Sequence, residues 1–251
     1  MITNNEYIEK ISLARPEDIA KAVFCFSYLP THFNHVDLIK CLSLEERKYF
    51  NTLSFEKRIN SYLLGRYVAK RAVAALISED NLSLIVIQQG IFSQPVAANG
   101  KNIQVSISHC NNLGTAVAFP ETHPMGIDLE EINESRRSIL ETQITKFEKE
   151  LANFIPTTYD LWLTLLWTAK EALSKVLRTG LTTPFEIYEI QKYELYDNYI
   201  VCYFKNFSQY KSLSFNVHNN ICSLVYPKNT EINFNILSFR EFLLNDCCLL
   251  R

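Results

Sequence analysis

The spacing of apolar residues along the chain changes period several times, and each change marks an element. In "FEKRINSYLLGRYVAKRAVAALI", Phe55 to Ile77, the residues Leu63, Leu64, Tyr67, Val68, Val73 and Leu76 recur at three and four positions, which predicts a long helix. "LSLIVIQQG" is short and rich in β-branched residues, and "IQVSISH" alternates Ile103, Val105 and Ile107 with Gln104, Ser106 and Ser108, so both read as strands. "GTAVAF" is a third strand. The two prolines of "PETHP" then make an extended link from Pro120 to Pro124, and "MGIDLEEI" resumes as a strand. From Ser135 to Leu177 the helical period returns, broken near Pro156 and stopped by Gly180 and Pro184. "FEIYEIQKYELY", "YIVCYF", "SLSFNVHN" and "ICSLVYP" follow as an antiparallel meander.

The predicted order is helix then strands, twice. "YVAKRAVAALI" from Tyr67 and "WTAKEALSKVL" from Trp167 share Ala, Lys and Ala in register one hundred positions apart, and each precedes a strand containing Ile-Gln. Such a repeat implies two similar lobes, packed face to face, in an α+β chain. The lobes are placed at 1–120 and 121–251, with an unassigned tail from about 231 for which an amphipathic helix is the plain expectation.

Composition narrows the function classes. The chain has 251 residues, enough for one large domain or two of ordinary size. A net charge of -2 argues against a general nucleic-acid binder, while leaving room for a local basic pocket. The amino terminus mixes charges without an apolar core, so no signal peptide is read, and no apolar run approaches the roughly 20 residues of a membrane span. Seven cysteines without a C-x-x-C pair fit a reduced, cytoplasmic chain.

The candidate chemistry lies in three stretches. In "GIDLE", Asp128 and Glu130 alternate onto one face of a strand, with Glu131 on the other, and two such carboxylates repel unless a cation lies between them. Gly126 just before them, one of only six glycines, suggests a close backbone approach. On the second long helix Trp167, Glu171 and Lys175 are each four apart, with Lys170 beside them. Glu171 packed over the strand would complete an oxygen-rich set suited to Mg²⁺ and a phosphate-bearing substrate, with the lysines on phosphate oxygens. The plain alternatives are a solvated acidic edge, a surface Glu171–Lys175 ion pair and a core Trp167. His109 ends "VSISH" beside Ser106 and Ser108, where it would bind phosphate or be merely structural. No G-x-S-x-G, P-loop, G-x-G-x-x-G or H-E-x-x-H is present, and His32 and His35 stay unassigned.

In this order and spacing, "SISHC", "GIDLE" and "WTAKEALSK" followed by "TGLTTPFEI" resemble the 4′-phosphopantetheinyl transferases. The nearest type is the two-lobed one that activates nonribosomal peptide and polyketide synthases; "LLGR" at Leu63 to Arg66 is similar to another of its elements. The resemblance runs from about residue 50 to about residue 190. It implies a pseudo-dimeric, monomeric α/β chain with coenzyme A between the lobes. Mg²⁺ would lie on Asp128, Glu130 and Glu171, and an apo carrier protein would be the partner. Glu171 would help deprotonate the carrier serine, Lys175 would neutralise the transferred phosphate, and Ser108, His109, Lys57 and Arg58 would contact coenzyme A. Two departures stand out: Gln94 precedes Pro95 where the family often has lysine, and Ser61 stands where it often has arginine. They leave a relative that binds without turnover as the second reading, and a generic metal-dependent phosphohydrolase as a third. Carrier specificity is expected on the surface after Glu131.

Overall fold

The computed structural model describes residues 5–30, 35–98 and 102–246. His32, Cys247 and Cys248 lie outside the described residues. The chain divides into two units: residues up to Pro124 with those from Glu231 onward, and residues Met125 to Thr230.

The first unit opens with a hairpin, Glu6–Arg15 (β1) and Asp18–Tyr28 (β2), so the expected order of helix then strands is preceded by two strands. β2 is buried on both faces from Ala22 to Tyr28, which removes the alternation by which a strand is usually read. Two short helices, Val36–Lys40 (α1) and Leu44–Phe50 (α2), lead to the long helix Glu56–Ile77 (α3). A two-stranded ribbon, Ile87–Gln89 (β3) and Pro95–Ala97 (β4), and a hairpin, Ile103–Cys110 (β5) and Leu113–Pro120 (β6), follow. α3 lies on β2, β5 and β6, and Leu64, Val68, Ala69 and Ala72 are fully buried there against Val23, Cys25, Ala116 and Ala118.

The second unit begins with Gly126–Glu131 (β7) and two short helices, Arg137–Glu141 (α4) and Lys146–Leu151 (α5). The long helix Tyr159–Leu177 (α6) and four strands complete it: Ile190–Tyr196 (β8), Tyr199–Phe204 (β9), Tyr210–Val217 (β10) and Asn220–Pro227 (β11). The sheet runs β7-β11-β10-β9-β8, all antiparallel, so the meander is present and β7 joins its far edge. Trp162, Leu166, Ala169 and Leu173 recur at four, three and four positions and are fully buried on that sheet. α6 ends at Leu177 with Arg178 in the left-handed region (φ 58°), two residues before the glycine expected to stop it.

The tail expected with the second lobe returns to the first unit instead. Glu231–Asn233 (β12) pairs with β1 and extends that sheet to β12-β1-β2-β6-β5. Ile236–Asp246 (α7) then buries Ile236, Phe239 and Leu243, with Phe239 set edge-on to Phe24 and Phe26 of β2. The helix is amphipathic, as its period suggests.

Each unit contains the same internal device. Ser43 caps α2 while the Glu46 carboxylate takes the Ser43 N–H (2.8 Å); Thr145 caps α5 while Glu148 takes the Thr145 N–H (2.8 Å). The same carboxylates bind a fully buried lysine from the long helix, Glu46 to Lys70 at 2.5 Å and Glu148 to Lys170 at 2.7 Å. Each also accepts a strand N–H, Ile87 at 3.1 Å and Ile190 at 2.8 Å. The lysines lie 100 positions apart (70 and 170), the carboxylates 102 (46 and 148), and the strand residues 103 (87 and 190). Burial lowers the pKa of both lysines, and the paired carboxylates hold them charged.

Among the described residues no helix is long and apolar enough to cross a membrane. Among the described residues Cys25, Cys41, Cys110, Cys202 and Cys222 form no disulfide.

Candidate functional site

The site is built where α6 crosses β7. Gly126, Asp128 and Glu130 lie opposite Val225, Ser223 and Ile221 of β11, and Ile221 and Val225 pack against α6, so all three β7 residues face that helix. A Cβ on Gly126 would sit 2.1 Å from the Ala172 carbonyl oxygen. Only glycine therefore lets the helix backbone come this close, and that approach sets Glu171 and Lys175 beside the strand carboxylates.

The charges pair at once. Lys175 Nζ donates to Asp128 Oδ1 and to the Ile127 carbonyl, each at 2.8 Å, and Asp128 is 6% exposed. Arg136, just after β7, holds Glu130 Oε2 at 2.5 Å. The bland surface pair between Glu171 and Lys175 is thus replaced by a strand-to-helix pair. Burial pushes the Glu171 carboxyl up to about 7, and repulsion from Asp128 and Glu130 adds to this against the pull of Lys175. Its excess negative environment is relieved by a proton or by a cation.

Among the described residues no three His, Cys, Asp or Glu side chains converge closely enough to hold a metal ion. The expected triad is a neighbourhood, with two of its carboxylates occupied by Lys175 and Arg136. Its donor chemistry nevertheless suits a hard dication: all three groups offer carboxylate oxygens, and Glu171 carries a penalty that positive charge would remove.

Lys170 does not join the phosphate-binding group expected of it. It is fully buried, donating to Glu148 Oε2 at 2.7 Å and to the Gln143 carbonyl at 3.1 Å. Trp167 is neither free nor fully core; its ring stacks on Phe185 at 4.7 Å and 7°.

The first unit has the same framework without the carboxylates. Val23, Cys25 and Ser27 pair with β6 as Gly126, Asp128 and Glu130 pair with β11, and Arg71 stands where the second copy has Glu171. Arg71 is held by both carboxylate oxygens of Glu6, at 2.5 and 2.9 Å. Acidic chemistry at this position belongs to the second unit alone.

The other expected residues divide. Arg58 and His109 line one cavity of about 240 Å³ in the first unit, together with Ser61, Tyr62 and Arg66. Arg58 reaches the Tyr49 hydroxyl at 3.1 Å, and the Arg66 guanidinium lies over the Tyr62 ring. Lys57 is exposed beside this cavity without lining it. Ser108 is buried and alternates away from Ile107 and His109, which do line it. Gln94 folds back on its own turn: its Oε1 accepts the Phe92 N–H at 2.9 Å, and the side chain fills the space beside Gly90. His35 contacts Asn60 Oδ1 at 2.5 Å from the start of α1.

One residue of the site, Arg136, and one that anchors its helix, Glu148, escaped the sequence reading. Arg136 has no motif around it and becomes relevant only through the turn that brings it back to Glu130. Glu148 carried a legible signal, the T-x-x-E capping box at Thr145, but its second role on Lys170 depends on the tertiary fold.

Residues 124–224 match the model of the 4′-phosphopantetheinyl transferase superfamily. No curated protein matches the chain significantly. The matched segment holds Asp128, Glu130, Glu171 and Lys175, whereas Lys57, Arg58, Ser108 and His109 lie before it.

Proposed function

We propose that the protein transfers the 4′-phosphopantetheine group of coenzyme A to a serine of an apo carrier protein, as a cytoplasmic monomer of the two-lobed type. The observation that carries this reading is the arrangement at the crossing of α6 and β7. Asp128 is paired with Lys175, Glu130 with Arg136, and Glu171 is poised at about 7, all inside the segment that matches the transferase superfamily.

Asp128, Glu130 and Glu171 are the residues that would hold Mg²⁺, which when bound supplies positive charge to the diphosphate oxygens. The remaining work belongs to the chain. Lys175 is a compact point charge for the phosphate being transferred. Glu171 is the carboxylate placed to take the proton of the carrier serine, directly or through water. The serine oxygen forms a bond to the β-phosphorus, the bond to the bridging oxygen breaks, and adenosine 3′,5′-bisphosphate leaves with the electron pair. Arg58 and His109 in their shared cavity, with Lys57 and Ser108, are proposed as coenzyme A contacts.

Incubation with a fluorescent coenzyme A, Mg²⁺ and a panel of apo acyl and peptidyl carrier proteins tests the reading. Labelling of at least one carrier, lost in Asp128→Ala, is expected; no labelling of any carrier at high enzyme and coenzyme A would overturn it. The second reading, a relative that binds coenzyme A or a carrier without turnover, is favoured by Gln94, whose amide is spent on its own turn. Calorimetric binding without any transfer would select it.

A further inference from the structure

A row of hydroxyls between α6 and its sheet has no part in the chemistry above. Thr168 of α6 and Ser223 of β11 are fully buried, and Ser214 of β10 is 1% exposed. The Thr168 and Ser223 oxygens lie 2.7 Å apart, and those of Ser223 and Ser214 2.8 Å. Thr168 gives its one hydroxyl hydrogen to the Leu165 carbonyl at 3.0 Å, so Ser223 donates to Thr168 and Ser214 donates to Ser223. The row is therefore a chain with one direction, running from the sheet to the helix backbone.

The first unit shows that the frame closes without it. Thr168 corresponds to Val68 at the same offset that relates Glu171 to Arg71. Ser223 lies opposite Asp128 as Ala116 lies opposite Cys25, and Ser214 lies opposite Ser223 as Ile107 lies opposite Ala116. In the first unit the hydroxyl positions are thus Val68, Ala116 and Ile107, all packed in its apolar core. Burying a hydroxyl costs more than burying a methyl group, so closing the core does not account for the row. It occurs in the unit that carries Asp128, Glu130 and Glu171.

What hydroxyls add is direction. Apolar contact leaves a helix free to slide or turn on a sheet, whereas a hydrogen bond fixes a distance and an angle. The Ser223–Thr168 bond joins the two sides of the site: Ser223 is the register partner of Asp128, and Thr168 stands three positions before Glu171, on the neighbouring turn of α6. Gly126 sets how closely α6 approaches β7, and this bond sets where along β11 the helix rests.

Resting on the function proposed above, we infer that Thr168 and Ser223 are positioning residues, which lock Glu171 in register with Asp128 so that the carboxylates share one divalent cation.

The test reads the cation rather than turnover. Mn²⁺ is titrated into the whole chain with coenzyme A and no carrier, and binding is followed as loss of the free-ion EPR signal against a blank of coenzyme A alone. Thr168→Val combined with Ser223→Ala writes the first unit's residues into the second. This double variant should keep a cooperative thermal melt and bind Mn²⁺ at least about fivefold more weakly, the worth of one neutral hydrogen bond. Thr168→Ser keeps the hydroxyl and should bind as the wild type does. Equal affinity in the wild type and the folded double variant, or a Thr168→Ser variant as weak as the double, would overturn the assignment. So would a double variant that does not fold, since the hydroxyls would then serve the fold itself. Carrier labelling separates this from the wider reading: wild-type labelling with unchanged Mn²⁺ affinity in the double variant overturns the positioning role alone. A wild type that does not bind Mn²⁺ overturns the metal-holding carboxylates and the positioning role together.

Discussion

Gly126 and Glu171 carry the site at the scale of single residues. Adding one methyl group at Gly126 drives a carbon to 2.1 Å from the Ala172 carbonyl, so Gly126→Ala should cost about 2 kcal/mol or more, read as a lowered denaturation midpoint. The same shift moves Glu171 away from Asp128 and should lower transfer in molecules that still fold. Glu171 gives a signed pH dependence. Its carboxyl titrates at about 7 in the folded chain and near 4.3 when unfolded, so the folded state binds the extra proton between these values. Stability without metal should therefore be highest at the acid end of that interval and fall as pH rises through 7. Urea titrations at several pH values would show this slope, and Glu171→Gln should flatten it. Gly126, Asp128, Glu171 and Lys175 were all legible as candidates in the sequence, because a rare glycine, a period of two and a period of four each mark a face. Their partners were not: that Lys175 chooses Asp128 over Glu171, and that Arg136 returns to Glu130, depends on which surfaces the fold brings together.

The fold turns, at the scale of elements, on the two long helices and the carboxylates that tie them down. Glu148 joins the start of α5, Lys170 of α6 and the first N–H of β8 through one buried group, and Glu46 does the same for α2, α3 and β3. Removing one member strands a buried charge, so Glu148→Ala and Glu46→Ala should each cost about 3–5 kcal/mol, measured by chemical denaturation. A loss below about 1 kcal/mol in both would show that the pairs do not hold the elements. Lys170→Met removes the ammonium that Glu148 serves and should destabilise as well, even though Lys170 neighbours Glu171 in sequence. The two long helices and the four-strand meander were readable because each keeps one period over many residues, whereas α1 and α2, of five and seven residues, were not. β2 was not, since burial on both faces erases its alternation, and β12 was not, since three residues carry no period at all.

At the scale of the whole molecule, the repeat is now supported by more than an Ala and Lys match. The capping boxes, the buried lysines and the strand registers recur in the second unit, while the candidate site positions differ: Cys25, Ser27 and Arg71 in the first unit, Asp128, Glu130 and Glu171 in the second. In the first unit Arg71 is balanced by Glu6, whereas in the second the corresponding position is Glu171, beside Asp128 and Glu130. Reversing that difference alone, as in Glu171→Arg, should abolish transfer while leaving the second unit folded, because Arg71 already sits at this position in the first.

The most direct test is the intact mass of an apo carrier protein after incubation with coenzyme A, Mg²⁺ and the protein. A gain of one phosphopantetheine, abolished by chelation and reduced at least about a hundredfold in rate by Lys175→Ala, is the expected result. An unmodified carrier, or the same gain at the same rate in Lys175→Ala, would contradict the site described above.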